Sequence, residues 1–237
     1  MSARDLRAFL EPDSVAVVGA GERATSSGGA VMRNLDLAGF EGRLVPVNPK
    51  GGTMFGRAAV TSLGELGEPV DLVVVVIRPD LIPAAVEEAA ATGHRNVLIL
   101  PGGFAESGAD GQARDRALRQ LAAERGVTIG GPNCAGTMHL GTRRRFAASF
   151  LRDLPPGGPL AFVSQSGALA EEVIAAAHPR GCRGARPPVA HFRARVADPV
   201  RNVGSGDKSR PNAVAARDGR NLSGCGHIAA AIAPYPG

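Results

Sequence analysis

The sequence predicts an α/β fold: a Rossmann-like, doubly wound parallel sheet over the first two thirds of the chain, followed by the start of a second α/β unit. Three observations predict it. Short β-branched runs alternate with Ala-rich amphipathic stretches, the pattern of a parallel sheet covered by helices. One run, Leu72 to Ile77, is apolar at every position, as a strand buried on both faces should be. Glycine-rich segments recur just after the predicted strands, at the edge where open parallel sheets hold their ligands.

Taken in order, strands are expected at about 14–19, 43–48, 71–77, 96–100 and 127–130, with the 71–77 strand at the centre of the sheet. Helices are expected at about 28–38, 80–92 and 110–125, with a short helical turn near Ser62–Leu66. Asp80 is suited to cap the second helix with Pro83 in its first turn, and Gly93 ends it. Asp110 is suited to cap the third, and Gly126 stops it. Right-handed crossovers then bring every strand C-terminus to one edge.

The stretch 150–159 holds three prolines and two glycines and marks a domain boundary. The expected organisation is a first domain over 1–150, a linker over 151–159 and a partial second domain over 160–237. That second unit opens with a strand at 160–163, a Ser/Gly loop and a helix over 167–177. After Pro179 the periodicity stops.

Charge divides at the same place. Residues 1–178 carry 17 Lys and Arg against 19 Asp and Glu, whereas 179–237 carry 10 against 3, so the net +5 belongs to the tail. The tail lacks both the interleaved aromatics of a nucleic-acid surface and the apolar content that offsets backbone entropy, so nucleic acid is excluded as a partner and the tail is expected to be disordered. Its abrupt change of composition resembles a frameshifted or truncated reading of a longer gene. The longest apolar run, Leu72 to Ile77, falls far short of the roughly 20 residues that span a bilayer. Cys134, Cys182 and Cys225 form no C-x-x-C pair. These features predict a cytoplasmic protein without membrane partners. No pairing of the five histidines suggests a metal site.

The chemistry-bearing motifs follow the strands. Gly19-Ala20-Gly21-Glu22-Arg23-Ala24 matches the G-x-G-x-x-[GA] dinucleotide fingerprint, but the loop runs on through Ser26-Ser27-Gly28-Gly29. The second strand ends in Asn48-Pro49-Lys50 and not in the carboxylate that accepts a ribose 2′-hydroxyl. A cation there suits a phosphorylated ribose, as in NADP or the 3′-phospho-ADP of coenzyme A; the plainer reading is a solvated lysine at a tight turn. Pro101-Gly102-Gly103-Phe104-Ala105-Glu106 permits close backbone approach to a ligand, or merely folds over the sheet edge. Asn133 is suited to bond either a substrate carbonyl or its own turn, and Cys134 suits a small buried hydrophobe better than a nucleophile. Ser164-Gln165-Ser166-Gly167 lacks the first glycine of a hydrolase elbow and better suits a phosphoryl group at a helix start.

Together, the 14–19 strand with its Ser/Gly loop, Asn34-Leu35, Gly39-Phe40-Glu41-Gly42, Val45-Pro46-Val47-Asn48-Pro49-Lys50, Gly103-Phe104-Ala105-Glu106, Gly131-Pro132-Asn133-Cys134 and Ser164-Gln165-Ser166-Gly167 resemble the CoA-binding region of the NDP-forming acyl-CoA synthetases. That superfamily includes ADP-forming acetyl-CoA synthetase and the succinyl-CoA synthetase α subunit. The resemblance covers about residues 8–178. It implies a CoA-binding domain followed by the start of a flavodoxin-like domain. It also implies that Gly19, Ser26, Ser27 and Gly28 belong to a phosphate loop, and Asn48, Pro49 and Lys50 to the CoA nucleotide site. Ile77, Arg78, Pro79, Gly103 and Phe104 would form pantetheine walls, Glu106 and Asn133 the thioester end, and Ser164, Gln165, Ser166 and Gly167 a phosphate cradle.

The implied reaction joins a small carboxylic acid to CoA with conversion of ATP to ADP and phosphate. ATP would enter through an ATP-grasp β subunit or fused domain that this sequence lacks, and His227 sits in too short a match to be the family's phosphohistidine. The chain is therefore not expected to turn over alone. Two alternatives stay open on the sequence: a non-catalytic CoA- or nucleotide-sensing module, and an NADP-binding oxidoreductase domain.

Overall fold

A computed structural model describes residues 6–23, 25–141, 145–155, 162–164 and 166–177. The expectations for 178–237, for Gln165 and for the first two residues of the 160–163 strand lie outside the described residues.

Five parallel strands form the central sheet: β1 (Ser14–Val18), β2 (Arg43–Val47), β5 (Leu72–Val75), β6 (Asn96–Ile99) and β7 (Thr128–Gly130), in the order β2-β1-β5-β6-β7. The apolar run thus occupies the middle of the sheet, and all four residues of β5 are fully buried. Regular pairing ends at Val75, although the Val76 N–H still donates to the Val18 carbonyl at 2.8 Å. A two-stranded antiparallel ribbon, β3 (Thr53–Met54) with β4 (Arg57–Ala58), follows β2. The helices are α1 (Arg7–Leu10), α2 (Ser27–Ala38), α3 (Ile82–Ala91), α4 (Gly108–Arg125) and α5 (Gly167–Ala177), with short 3₁₀ turns at Leu63–Leu66 and Pro79–Leu81.

Alternate side chains of each strand enter opposite core layers, as the period of two requires. On one face Val15, Val17, Leu72, Val74 and Leu98 meet Val31, Met32 and Leu35 of α2 and Phe9 of α1. On the other, Ala16, Val73, Val75, Val97 and Ile99 meet Ile82, Val86 and Ala89 of α3 and Leu118 and Ala122 of α4.

Two caps differ from the sequence expectation. Asp110 does not cap α4, which begins two residues earlier with Ser107 at its N-cap and no side-chain hydrogen bond there. Asp80 caps nothing; its carboxylate pairs with the Arg78 guanidinium at 2.5 Å inside the 3₁₀ turn that precedes α3. A charged partner two residues away gives the carboxylate a stronger bond than a helix N–H would.

The sequence reading also missed a hairpin. β8 (Gly136–Leu140) pairs antiparallel with β9 (Arg145–Ser149) and lies across α2, where the Phe146 ring meets Phe40 edge-on at 5.8 Å. Asn34, wholly buried, fastens the two: its amide donates to the Ser149 carbonyl at 2.7 Å and the Leu151 carbonyl at 2.8 Å. The opposite side of the hairpin carries a third core, in which Met138, Leu140, Ala147 and Leu151 pack with Phe162, Ala170 and Ile174. Helix α5 is therefore seated on the hairpin.

Replacing Asn34 by Leu withdraws the donor from two buried carbonyls, which is expected to cost about 1–3 kcal/mol. Urea unfolding should show a lower midpoint at unchanged slope. An unchanged midpoint would mean that Asn34 is not the fastening.

Candidate functional site along the sheet edge

The C-terminal ends of the five strands carry the site, and close backbone contacts link its parts into one ridge. It begins at the end of β2. The Asn48 side chain donates to the Ala20 carbonyl at 2.7 Å and accepts from the Lys50 N–H at 2.9 Å, which fixes Asn48-Pro49-Lys50 beside the β1 loop. The Lys50 side chain is exposed and its ammonium has no partner among the described residues.

Helix α2 meets the β1 loop without room for a side chain between them. A Cβ on Gly28 would lie 2.0 Å from the Gly19 carbonyl oxygen, and one on Gly19 would lie 2.7 Å from Ile77 Cγ2. Only glycine permits this approach. Ser26 caps α2: its hydroxyl accepts from the Gly29 N–H at 3.1 Å and donates to the Arg23 carbonyl at 2.8 Å. Ser27 is exposed one position further. Gly21 is different, because its φ is not in the left-handed region and the nearest neighbour of an added Cβ is Ser26 Oγ at 3.9 Å. Among the described residues nothing crowds its backbone, so the loop is open at this point.

The ridge continues through Ile77, Arg78 and Pro79 to the β6 loop. A Cβ on Gly103 would lie 2.8 Å from Pro79 Cγ, and one on Gly102 would lie 2.8 Å from Glu106 Oε1 and 3.2 Å from Asn133 Oδ1. Glu106 and Asn133 thus converge over Gly102. Beyond them Gly167, at the start of α5, would place a Cβ in ordinary contact with Ala135 at 3.8 Å, so the Ser/Gly loop before α5 adjoins the Asn133 loop.

Three assigned side chains are placed differently from the sequence reading. The Phe104 ring is wholly buried in the α3–α4 core and forms no wall; it supports the loop from beneath, where an aromatic gains most from burial. Ser164 is also buried, and its hydroxyl is taken up by the Ser166 N–H at 3.0 Å and the Ser166 carbonyl at 3.2 Å. Ser166 in turn accepts from the Leu169 N–H at 3.3 Å. The Ser164 hydroxyl thus shapes the loop from within, and the Ser166 hydroxyl receives the first turn of α5. Cys134 is buried and donates to the Ile99 carbonyl at 3.3 Å. Burial pushes its thiol up to about 11, opposed only by a Gly136 backbone contact, so it is a packed hydrophobe and not a nucleophile.

The sequence reading overlooked Arg114. Its guanidinium donates to the Gly103 carbonyl and lies over the Phe104 ring at 5.9 Å, locking the β6 loop onto α4. Nothing in the α4 pattern distinguishes it from its neighbours Arg116 and Arg119. Glu22 was missed too; it accepts from the Phe55 N–H at 3.0 Å and ties the β1 loop to the β3–β4 ribbon.

Partial burial of Glu106 disfavours its charge, but backbone N–H groups of Glu106, Gly103 and Phe104 together outweigh this and hold its carboxyl below the usual range. The Gly103 contact is 2.5 Å and the Phe104 contact 3.2 Å. A folded pKa below the unfolded one means that the loop's stabilisation is present above an unfolded pKa of roughly 4.3 and is lost as pH falls through the lower folded value. Carboxyl-carbon NMR should find Glu106 titrating below that value. A titration at or above it would contradict the assigned contacts.

Among the described residues no three His, Cys, Asp or Glu side chains lie close enough to hold a metal ion, and no helix is long and apolar enough to cross a membrane. Residues 13–140 match the family described as CoA binding domain. The chain is 32% identical over 173 residues to the ADP-forming 4-hydroxybutyrate–CoA ligase of Nitrosopumilus maritimus, covering 73% of this chain and 25% of the relative. It is 38% identical over 169 residues to the α subunit of ADP-forming acetate–CoA ligase I of Pyrococcus furiosus, covering 69% and 36%. Among solved structures, the dinucleotide-forming acetyl-coenzyme A synthetase 1 of Ca. Korarchaeum cryptofilum, in complex with phosphate and ADP, superposes with a TM-score of 0.66 at 28% identity, over 72% of this chain and 36% of that one. The chain thus spans about a quarter to just over a third of the length of these relatives. Over that shared portion, this chain belongs to the CoA binding domain family and is homologous to the CoA-binding part of ADP-forming acyl-CoA synthetases.

Proposed function

We propose that the ridge binds coenzyme A as part of an ADP-forming acyl-CoA synthetase, in which a small carboxylic acid, CoA and ATP give acyl-CoA, ADP and phosphate. The observation that carries this reading is the free Lys50 ammonium held at the end of β2 by the Asn48 turn, where a phosphorylated ribose needs a cation. Bound CoA supplies the thiol that accepts the acyl group. In this reading Lys50 meets the 3′-phosphate, and the Gly19–Gly21 backbone and Ser27 meet the diphosphate. Ile77 to Pro79 and the Gly102–Gly103 backbone flank the pantetheine arm. Glu106 and Asn133 meet its thiol end, and the backbone of Ser166 and Gly167 receives a phosphoryl oxygen.

The ATP-dependent half of the reaction belongs, on this proposal, to an ATP-grasp partner subunit or a further domain, in keeping with the share of the relatives that the chain spans. The unit from Phe162 to α5 is the beginning of a second domain, joined to the first through the hairpin core. A cytoplasmic setting fits the supply of CoA and ATP that such a reaction requires.

Calorimetry on the whole chain tests the binding claim. CoA should bind more tightly than dephospho-CoA, and Lys50→Glu should weaken CoA by about 2 kcal/mol or more, because it replaces attraction with repulsion. Equal affinities for the two coenzymes, or an unaffected Lys50 variant, would overturn the assignment. Displacement of CoA by NADP at matching concentration would instead favour the oxidoreductase reading.

A second test concerns the reaction. Purified chain with ATP, CoA and acetate should form no acyl-CoA. Turnover by the chain alone would show that the ATP-dependent half does not lie elsewhere.

A further inference from the structure

Beside the ridge, between the start of α2 and the segment that follows β9, lies a cavity of about 280 Å³ lined by Thr25, Ser26, Ser27, Arg33, Phe150 and Arg152 among others. Among the described residues the polar side chains that line it are hydroxyls and guanidinium groups, with no carboxylate. Most arginines of the described residues are satisfied within the fold: Arg43 by Glu68, Arg57 by Asp36, Arg119 by Asp115, Arg125 by Glu87, and Arg145 by the Ala38 carbonyl. The two in this cavity are not. Arg33 has only the Asn34 side-chain oxygen, at 3.4 Å from both Nε and Nη2, the outer limit of a hydrogen bond. Arg152 is exposed and has no hydrogen-bond or ion-pair partner among the described residues.

Their meeting is built into the fold. Arg33 adjoins Asn34, whose amide clamps the Ser149 and Leu151 carbonyls, so the clamp that seats the hairpin on α2 also carries Arg152 to the cavity that Arg33 lines. Two like charges around one cavity repel each other until an anion lies between them. A guanidinium presents a planar fork of donors that matches the oxygens of a phosphoryl group. The hydroxyls of Thr25 and Ser27 add further donors, and the Phe150 side chain supplies an apolar wall.

We propose that Arg33 and Arg152, which share this cavity with Thr25 and Ser27, bind a phosphoryl anion. Two sources share that chemistry, the diphosphate of bound CoA and free inorganic phosphate. The first source rests on the proposed CoA reading; the second does not.

Calorimetry on the full chain with inorganic phosphate, pyrophosphate and CoA tests the site. Arg33→Gln and Arg152→Gln are compared with Arg116→Gln, an exposed arginine of α4 away from the cavity, as the control for net charge. Each cavity variant should weaken pyrophosphate about tenfold or more, the effect of losing a charge-assisted bond, while the control changes nothing. If CoA weakens in parallel, the coenzyme diphosphate is the ligand; if CoA is unaffected while the phosphates weaken, free phosphate is. Arg152 is exposed, so its variant keeps the test valid should the Arg33 substitution disturb Asn34. Phosphate probes that fail to bind, or that bind both cavity variants and the control equally, would overturn the proposal. CoA binding that still depends on Lys50 would then leave the coenzyme reading intact. Pyrophosphate binding that depends on the arginines, with no CoA binding, would remove the coenzyme reading and keep the site.

Discussion

Gly28 lies against the Gly19 carbonyl at a distance that excludes even a methyl group, since a Cβ there would sit 2.0 Å from the oxygen. This contact sets the first turn of α2 directly on the loop that leaves β1. From it follow the position of the Ser26 cap, the outward exposure of Ser27 and the opening beside Gly21. The same loop abuts Ile77 through Gly19 and is stitched to the end of β2 by Asn48. Three strand ends are thereby held at the spacing of backbone against backbone. A site built on such contacts is pre-organised, because little side-chain freedom remains to be lost when a ligand arrives.

A second constraint comes from one buried amide. Asn34 satisfies the Ser149 and Leu151 carbonyls, and the hairpin so fixed has cores on both faces, Phe146 and Ala148 toward α2 and Met138, Leu140 and Ala147 toward α5. The start of α5 reaches the sheet edge through this hairpin, with Gly167 beside Ala135. The Ser166–Gly167 turn is thereby brought next to the loop that carries Asn133, which meets Glu106 over Gly102, although Glu106 and Gly167 lie 61 positions apart in the chain.

The central sheet was legible because its signals are local and strong. A run apolar at every position from Leu72 to Ile77 has few places to go except the middle of a covered parallel sheet, and Gly93 and Gly126 end helices where expected. The hairpin was not legible: Gly136 to Ser149 carries a histidine, three consecutive arginines and two glycines, and its strands are set by contacts with α2 and α5 that no local period records. Of the site, the loops and their common edge were readable from glycine and strand spacing, since strand ends of a parallel sheet must share an edge. Side-chain direction was not. Phe104 turns inward because its ring gains more from the core than from a groove, Ser164 spends its hydroxyl on its own loop, and Arg114 acts from a helix whose other arginines look the same in sequence.

The central claim is that one ridge along the strand C-termini receives coenzyme A. Titration of ¹⁵N-labelled protein with CoA, followed amide by amide, tests it most directly. CoA should shift the amides of Gly19–Gly21, Thr25–Ser27, Asn48–Gly52, Ile77 and Arg78, Gly102–Glu106 and Asn133, with the opposite edge unmoved at Ser14, Asp71 and Asn96, which are bonded to one another there. Shifts centred on that opposite edge, or saturation with the ridge amides unchanged, would contradict it.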